Sequence, residues 1–199
     1  MLKHIKITAT ATAAAAILAL AGPLAAQDAK PQTGGTLNVV IQPEPPGLMI
    51  GLLQNGPTQM VAGDIYESLL RYDSELKPSG QLAESWEISE DGKTYTFKLR
   101  KGVVFHDGEP FTSADVKFSM DKFLRETHSR MRTYMEHVES IDTPDDYTVV
   151  FKLKQPFGPF LGIFEPGTAP VIPKHIYEGT DFANNPANAN PIGTGPFKF

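Results

Sequence analysis

Residues 86–99, with the sequence WEISEDGKTYTFKL, constrain the fold more than any other stretch of this chain. Apolar and polar residues alternate in 86–88 and again in 95–99, and the turn between them contains Asp91-Gly92. An Asp-Gly pair between two alternating segments is typical of a β-hairpin, because both residues tolerate the backbone of a tight turn. The pattern therefore predicts a hairpin whose aromatic face is buried.

Further segments are predicted as strands from their alternation and their β-branched residues. Residues 138–142 and 147–153 flank a turn at 143–146, which predicts a second hairpin. Residues 36–41, with the sequence TLNVVI, predict a strand that precedes both hairpins. Residues 197–199 alternate as Phe-Lys-Phe and predict the beginning of another strand.

Helical spacing recurs around and between the hairpins. Residues 58–70 carry an apolar face, and Thr112 with Asp115 resembles a capping box that opens a second helix. A more polar helix is predicted at 130–137, and one helical turn at 173–177. The apolar face of the helix after the capping box comprises Val116, Met120, Phe123 and Leu124. Hairpins interleaved with helices predict an α+β fold class.

The N-terminal segment 1–26 has the layout of a secretory signal peptide. The basic residues Lys3 and Lys6 precede an alanine-rich run at 8–21, and a Gly-Pro break with small residues then offers a cleavage site near Ala26. The alternative is an uncleaved membrane anchor, which needs about 20 apolar residues. Because three threonines and the Gly-Pro pair interrupt this run, export with cleavage is the better interpretation.

Charge and cysteine content bound the environment and the partners. The chain has a formal net charge of −5, and cleavage would remove two lysines and no acidic residue, leaving −7. An acidic protein is poorly suited to nucleic acid, so no nucleic-acid partner is expected. Cysteine is absent, which excludes disulfides and a lipid-anchoring cysteine. A freely diffusing periplasmic protein fits these facts, and secretion from a Gram-positive cell is the alternative.

The motifs that would indicate catalysis or a bound cofactor are weak. The turn 193–196 reads GTGP, but Pro196 removes a donor that a phosphate-binding loop needs, and Lys198 is followed by Phe199. Residues 74–77 spell S-x-x-K without the companion motifs of penicillin-binding proteins. The histidines after the signal segment lack metal-ligand spacing and are interpreted as surface or capping residues: His106, His128, His137 and His175. No catalytic residue, metal or cofactor is therefore expected.

Several segments resemble one family over nearly all of the chain after residue 26. The chain resembles the N-terminal part of the bacterial extracellular solute-binding proteins of family 5, which serve peptide and nickel ABC importers. The segments that carry the resemblance are GGTL at 34–37, DIYESLL at 64–70, LAESW at 82–86, DGKTYTFKLR at 91–100, VFHDGEPFT at 104–112 with Ala114-Asp115-Val116, and PIGTGPF at 191–197.

The resemblance implies a fold of the periplasmic-binding-protein type, α+β or α/β, in which two lobes close on a ligand. It implies a first-lobe segment at 27–56, an inserted small hairpin-and-helix domain at 57–170, and a return to the first lobe at 171–199. It also implies that the first lobe is incomplete and that the second lobe would follow Phe199, so the sequence is expected to be a fragment.

The resemblance implies a periplasmic, monomeric binding protein that captures short peptides and delivers them to an ABC permease in the inner membrane. A nickel chelate, an opine or a sugar derivative is an alternative ligand within the family. Ligand contacts carry over to the loop after the first strand, at Gln42, Pro43 and Glu44, and to Arg132 and Tyr134. Core packing is the alternative for Tyr134, and simple solvent exposure is the alternative for Arg132 and Glu44.

Two other classes of function remain open. The first alternative is that the chain is part of a secreted hydrolase whose catalytic residues lie downstream. The second is that it is a stand-alone chaperone or receptor accessory. An exposed apolar strand at 197–199 would invite aggregation in a stand-alone chain, which disfavours the last alternative.

Overall fold

Two β-hairpins pair into one four-stranded antiparallel sheet in the computed structural model, which describes residues 34–199. Residues 34–39 contain no helix or strand, and the elements named below all belong to the unit 40–199. The strands of the unit are β1 (Leu70–Tyr72), β2 (Pro78–Gly80), β3 (Ala83–Ile88), β4 (Thr94–Leu99), β5 (Val138–Asp145) and β6 (Thr148–Leu153). The larger sheet has the order β3-β4-β6-β5, and β1 pairs with β2 in a separate antiparallel ladder.

The helices are short and lie mostly between the two hairpins. They are α1 (Gly56–Ala62), α2 (Ser113–Phe118), α3 (Leu124–Thr127), α4 (Ser129–Met135) and α5 (Lys174–Tyr177). A π-helical turn (Ser119–Phe123) joins α2 to α3, and 3₁₀ turns occur at Gly158–Ile163 and Pro186–Ala189. The predicted α+β class is therefore confirmed, with the helical turn predicted at 173–177 present as α5.

The hairpin predicted from Asp91-Gly92 is confirmed. Trp86 lies opposite Phe97 in the ladder of β3 and β4. Gly92 has a φ of 65°, a conformation that glycine adopts without strain, and its N–H donates to the carbonyl of Ser89 at 2.8 Å. The predicted burial of the hairpin's aromatic face holds for β4, where Phe97 is fully buried, but on β3 Trp86 is only half-buried and Ile88 is 45% exposed.

The second hairpin is also confirmed, but its turn is two residues later than predicted. Strand β5 continues through the expected turn at 143–146 as far as Asp145. The Oδ1 atom of Asp145 accepts the N–H of Tyr147 at 2.8 Å, which is how aspartate side chains form tight turns. Local side-chain chemistry at Asp145 therefore fixes the reversal, rather than Pro144.

The capping box predicted at the start of the second helix is present. The N–H of Thr112 donates to the Oδ2 atom of Asp115 at 2.9 Å, and the Thr112 hydroxyl lies 3.1 Å from the same oxygen. This contact begins α2, and the predicted apolar face is buried along α2, the π-helical turn and α3. Helix α4 begins and ends close to the polar helix predicted at 130–137.

Aromatic side chains from the sheet and from the segment after it build the core. Phe97 and Phe164 meet at a ring-centroid distance of 4.8 Å, and Tyr95 and Phe160 at 4.9 Å, both edge to face. Phe151 of β6 packs against Phe164 at 5.1 Å. Edge-to-face rings add attraction beyond the burial of apolar area, so these five residues hold the 3₁₀ turn against the sheet.

The helix predicted at 58–70 is wrong over its second half. Helix α1 ends at Ala62, and β1 begins at Leu70. The apolar residues of this stretch are buried, but their backbone groups bond to distant segments: the carbonyl of Ile65 accepts the N–H of Gly195, and that of Leu69 accepts the N–H of Ala83. Tertiary hydrogen bonds therefore replace the i to i−4 bonds that a continuous helix would make.

The strands predicted at 36–41 and 197–199 are absent from the described residues. A strand exists only where a neighbour completes its hydrogen-bond ladder. The N–H of Phe197 instead donates to the carbonyl of Asp64 at 3.2 Å, in an irregular segment. The signal peptide predicted at 1–26 lies outside the described residues, and the domain limits at 56/57 and 170/171 stay a prediction.

Candidate functional site

The loop predicted to face a ligand is exposed. Gln42, Pro43 and Glu44 all lie on the surface, and within residues 34–199 none of their side chains bonds to another protein group. The chain is anchored just after them, because the hydroxyl of Thr58 donates to the carbonyl of Gly47 at 2.9 Å. The loop therefore exposes an amide and a carboxylate to solvent, and its C-terminal end is held in place at Gly47.

Arg132 is exposed but is not simply a solvent-facing residue. Its Nε donates to the carbonyl of Arg125 at 3.1 Å, and its Nη2 donates to the carbonyl of Glu126 at 2.7 Å. These carbonyls belong to α3, where the last turn lacks intrahelical partners. Arg132 therefore caps α3, a structural role that the sequence did not indicate and that leaves fewer of its donors for a ligand.

Tyr134 is half-buried and belongs to a small aromatic cluster on the edge of the core. Its ring centroid lies 6.0 Å from that of Phe157, and Phe157 stacks on His137 at 4.1 Å with an interplanar angle of 7°. Core packing, the alternative to ligand contact, therefore accounts for part of the Tyr134 surface. The rest of the Tyr134 side chain, on α4, is partly accessible to solvent.

The structure does not join the loop to Arg132 and Tyr134. No hydrogen bond or ion pair among residues 34–199 connects the two groups. The segment after the loop does contact α3, since the hydroxyl of Thr127 donates to the carbonyl of Gly51 at 3.0 Å. The assignment of these five residues to one ligand site stays a prediction.

Three of the segments that carry the family resemblance meet at one place, which we call the motif junction: residues 64–67, 104–110 and 191–197. His106 lies at its centre. Its Nδ1 accepts the N–H of Gly193 at 3.3 Å, so its Nε2 carries the proton and donates to the carbonyl of Gly195 at 2.8 Å. The sequence indicated only a surface or capping histidine here. The signal that could have found this role was its place in the HDGEP motif.

The GTGP turn needs its two glycines because its backbone lies very close to the backbone of residues 64–65. A Cβ atom on Gly193 would overlap the carbonyl oxygen of Ile65, and one on Gly195 would overlap that of Asp64. The N–H of Gly195 donates to the carbonyl of Ile65 at 2.9 Å. The turn therefore binds backbone rather than phosphate, as the proline in it suggested.

A polar groove of about 670 Å³ lies beside the motif junction and is lined in part by Glu67, Arg71, Arg100 and Thr194. Burial raises the pKa of the Glu67 carboxyl, and the Thr194 hydroxyl, the Gln81 amide and the Arg100 guanidinium oppose that rise. A carboxyl held in this way favours its neutral form more than a free glutamate does. The groove thus contains both cationic and carboxyl groups on its surface.

A second groove, of about 620 Å³, lies between the β1–β2 turn and the segment after β6, with Tyr72, Leu76 and Pro166 among its lining residues. Leu76 is 78% exposed and has a φ of 60°, which is uncommon for a leucine. The phenol of Tyr72 donates to the carbonyl of Leu161 at 2.7 Å and closes one side of the groove.

Neither a metal cluster nor a membrane-crossing helix occurs in the described part of the chain. No group of three or more His, Asp or Glu residues within 34–199 could hold a metal ion. No helix among the same residues is long and apolar enough to cross a membrane. The one histidine–carboxylate contact found there, between His175 Nε2 and Asp107 Oδ2 at 2.7 Å, is a surface pair.

Comparison with known proteins gives a consistent result. A family model described as bacterial extracellular solute-binding proteins, family 5 middle, matches residues 77–199. A putative ABC transporter peptide-binding protein of Brucella ovis is 41% identical over 140 residues, which cover 67% of this chain and 26% of that protein. The chain spans about a quarter of the length of the curated relatives that it matches.

Solved structures share the fold over most of this chain. The oligopeptide-binding protein AppA of Bacillus subtilis, in complex with a nonapeptide, has a TM-score of 0.69 and 34% identity, covering 78% of this chain and 32% of AppA. The binding protein AgaA of A. tumefaciens R10, in complex with agropinic acid, has a TM-score of 0.70 and 35% identity, covering 78% of this chain and 31% of AgaA.

Proposed function

Because the chain belongs to family 5 of the bacterial extracellular solute-binding proteins, we propose that it is part of the periplasmic substrate-binding component of an ABC importer. Its ligand is a short peptide or a peptide-like solute, which it delivers as a monomer to a permease in the inner membrane. Cleavage near Ala26 accompanies export. The chain acts by capture and carries out no chemistry.

The proposed peptide specificity rests on the similarity to two proteins. AppA, which holds a nonapeptide, is 34% identical to this chain and has the same fold over 78% of it. The relative from Brucella ovis, described as peptide-binding, is 41% identical. Relatives at this level of identity are solute-binding proteins, and no observation favours a hydrolase.

The exposed loop supplies groups that suit a peptide. The Glu44 carboxylate can meet a peptide ammonium group, and the Gln42 amide can both donate and accept a hydrogen bond. Pro43 has no N–H and holds the backbone between them in a restricted conformation. The exposed edge of Tyr134 can pack against an apolar side chain of the ligand.

A second candidate ligand is an opine rather than a peptide. AgaA, which binds agropinic acid, is as similar to this chain as AppA is. The same exposed amide and carboxylate would then contact a different polar solute. The two candidates differ only in ligand, and a screen that includes both classes separates them.

A thermal-shift screen of the protein expressed from its complete gene tests the proposal. Di- to nonapeptides, agropinic acid and unrelated sugars are added one at a time. A ligand at about 100 times its Kd stabilises the folded state by about 2.7 kcal/mol and raises the melting temperature. We expect peptides to raise it. A response to agropinic acid alone would contradict the peptide assignment, and no response to any solute would contradict capture itself.

A further inference from the structure

A buried histidine caps the helix that carries Arg132 and Tyr134. His128 is 2% exposed, and it precedes α4 with an extended backbone. Its Nδ1 accepts the N–H of Met131 at 3.2 Å, which is the contact that an N-cap side chain makes. Ser, Thr, Asp and Asn usually occupy this position, and none of them gains a proton near neutral pH.

The backbone of His128 is held on both sides of the cap. Its N–H donates to the carbonyl of Leu124 in α3 at 2.9 Å, and its carbonyl accepts the N–H of Arg132 in α4 at 2.9 Å. The backbone of Gly167 faces the ring from the loop after β6. The amide of Gln59 in α1 donates to the same Gly167 carbonyl at 3.3 Å. The imidazole therefore lies where α1, α3, α4 and this loop meet.

If the His128 ring were protonated, no carboxylate among the described residues would pair with it. On α4, Arg130 is the cation that acts on the ring, and the Arg132 guanidinium is engaged by carbonyls of α3. On α3, Arg125 pairs with Asp121, and Glu126 is exposed. In the loop, the Glu165 carboxylate accepts the N–H of Gly167 at 2.8 Å. Burial, followed by the charge of Arg130, lowers the pKa of His128, and the backbone groups of His128 and Gly167 oppose this only in part.

We propose that His128 is a proton-sensitive cap, which fixes the start of α4 while its imidazole is neutral and releases it on acidification. A proton on Nδ1 would point at the N–H of Met131, so two donors would face each other in a buried place. The imidazolium must then leave the cap to be solvated. The first turn of α4 loses its acceptor as it does so.

The binding of a proton to His128 is linked to folding, and this sets the direction in which pH changes stability. The folded state favours neutral His128, so its stabilisation is complete above the pKa of a free histidine, about 6.5, and is lost as the pH falls toward the lower folded value. Over that window the equilibrium constant for opening α4 rises by up to about tenfold per pH unit. Acidification thus loosens the helix without unfolding the sheet.

The consequence for capture rests on the proposed function. Arg132 and Tyr134 lie on α4, so an opened helix no longer positions them. Ligand affinity would then fall in acid because α4 opens. The cap itself does not depend on this step.

Amide hydrogen exchange of the full chain between pH 7.5 and 5.0 tests the cap, after correction for the intrinsic exchange rate. We expect protection of the α4 amides to fall by about tenfold or more relative to the amides of β4 and β6. H128N supplies an N-cap that does not titrate, so it should keep α4 protected at both pH values. H175N removes an exposed histidine of α5, which pairs with Asp107 and does not contact α4, and should show the same loss as the wild type.

Two results would overturn the proposal: unchanged α4 protection in the wild type, or the same loss in H128N as in the wild type. If H128N does not fold, the imidazole ¹⁵N shifts of the wild type decide instead. The proposal requires an unprotonated Nδ1 at pH 7.5 that gains its proton together with the loss of Met131 protection, and independent titration would overturn it. Neither readout needs a ligand. The results can therefore contradict the cap while peptide binding holds, or support the cap while peptide binding is contradicted.

Discussion

The imidazole Nε2 of His106 lies 2.8 Å from the carbonyl oxygen of Gly195, and Nδ1 of the same ring accepts the N–H of Gly193 at 3.3 Å. One side chain therefore spans a turn that follows it by nearly ninety residues. Lys198 extends the contact, because its Nζ donates to the backbone carbonyl of His106 at 2.8 Å. His106, Gly193 and Gly195 therefore owe their residue types to packing within the scaffold.

Substituting Gly193 by alanine should destabilise the fold strongly. The added Cβ would overlap the Ile65 carbonyl, which is backbone and cannot move aside, and we expect a loss of at least about 2 kcal/mol in the free energy of unfolding. Urea denaturation measures it. Gly162→Ala is the matched control, because a Cβ there meets no atom within 4 Å. Equal stability of the two variants would contradict the close approach.

Substituting His106 by alanine removes two hydrogen bonds that hold the GTGP turn. Leaving the N–H of Gly193 and the carbonyl of Gly195 without their partner should cost about 1–3 kcal/mol. His175→Ala is the comparison, because that histidine pairs with Asp107 at the surface and should cost under about 1 kcal/mol. Urea midpoints in which His175→Ala loses as much as His106→Ala would show that the turn does not depend on the ring.

The hairpins were predictable because their determinants are local. Asp91-Gly92 specifies a turn wherever it falls between alternating segments, and Phe97 is buried as the alternation requires. The stretch 65–70 was not predictable in the same way. Its apolar spacing is compatible with a helix, and only the distant donors of Ala83 and Gly195 decide that its carbonyls bond elsewhere. Such pairings are invisible to a window of neighbouring residues.

The candidate site was predictable only in part, and again for a physical reason. The exposure of Gln42 to Glu44 follows from three prolines within six residues, which prevent regular structure. The capping role of Arg132 could not be foreseen, because it depends on where α3 ends. For His128 the capping alternative is the correct one, but which helix it caps could not be foreseen, since a histidine is not among the usual N-cap residues.

Substituting Ser119 by alanine should remove the hydrogen bond that links the π-helical turn to the segment before α5. The Ser119 hydroxyl donates to the carbonyl of Asp115 at 2.6 Å and accepts the N–H of Ile172 at 2.7 Å, and its residue is fully buried. An unpaired N–H at Ile172 should cost about 1–3 kcal/mol. Thermal unfolding checks this against the exposed Ser74→Ala. A variant as stable as that control would mean that Ile172 finds another acceptor.

Substituting Glu67 by glutamine should raise stability at pH 7 and lose that advantage in acid. The folded state raises the pKa of Glu67, so it favours the neutral carboxyl, and ionisation weakens folding as the pH rises through the unfolded value of 4.5 toward the folded one. Glutamine stays neutral throughout. Melting temperatures of both proteins from pH 3.5 to 7.5 give the difference. The exposed Glu75→Gln serves as the control, and an advantage of Glu67→Gln over the wild type that is smaller at pH 7 than at pH 4 would contradict the sign.

The decisive experiment incubates the protein, expressed from its complete gene, with a defined mixture of di- to nonapeptides. The protein is then washed on a membrane that retains it, and mass spectrometry measures which peptides stay bound and whether they are intact. We predict that selected peptides are retained, uncleaved, at up to one per protein molecule. Cleaved peptides would show a hydrolase, and the retention of none would contradict a peptide-binding role.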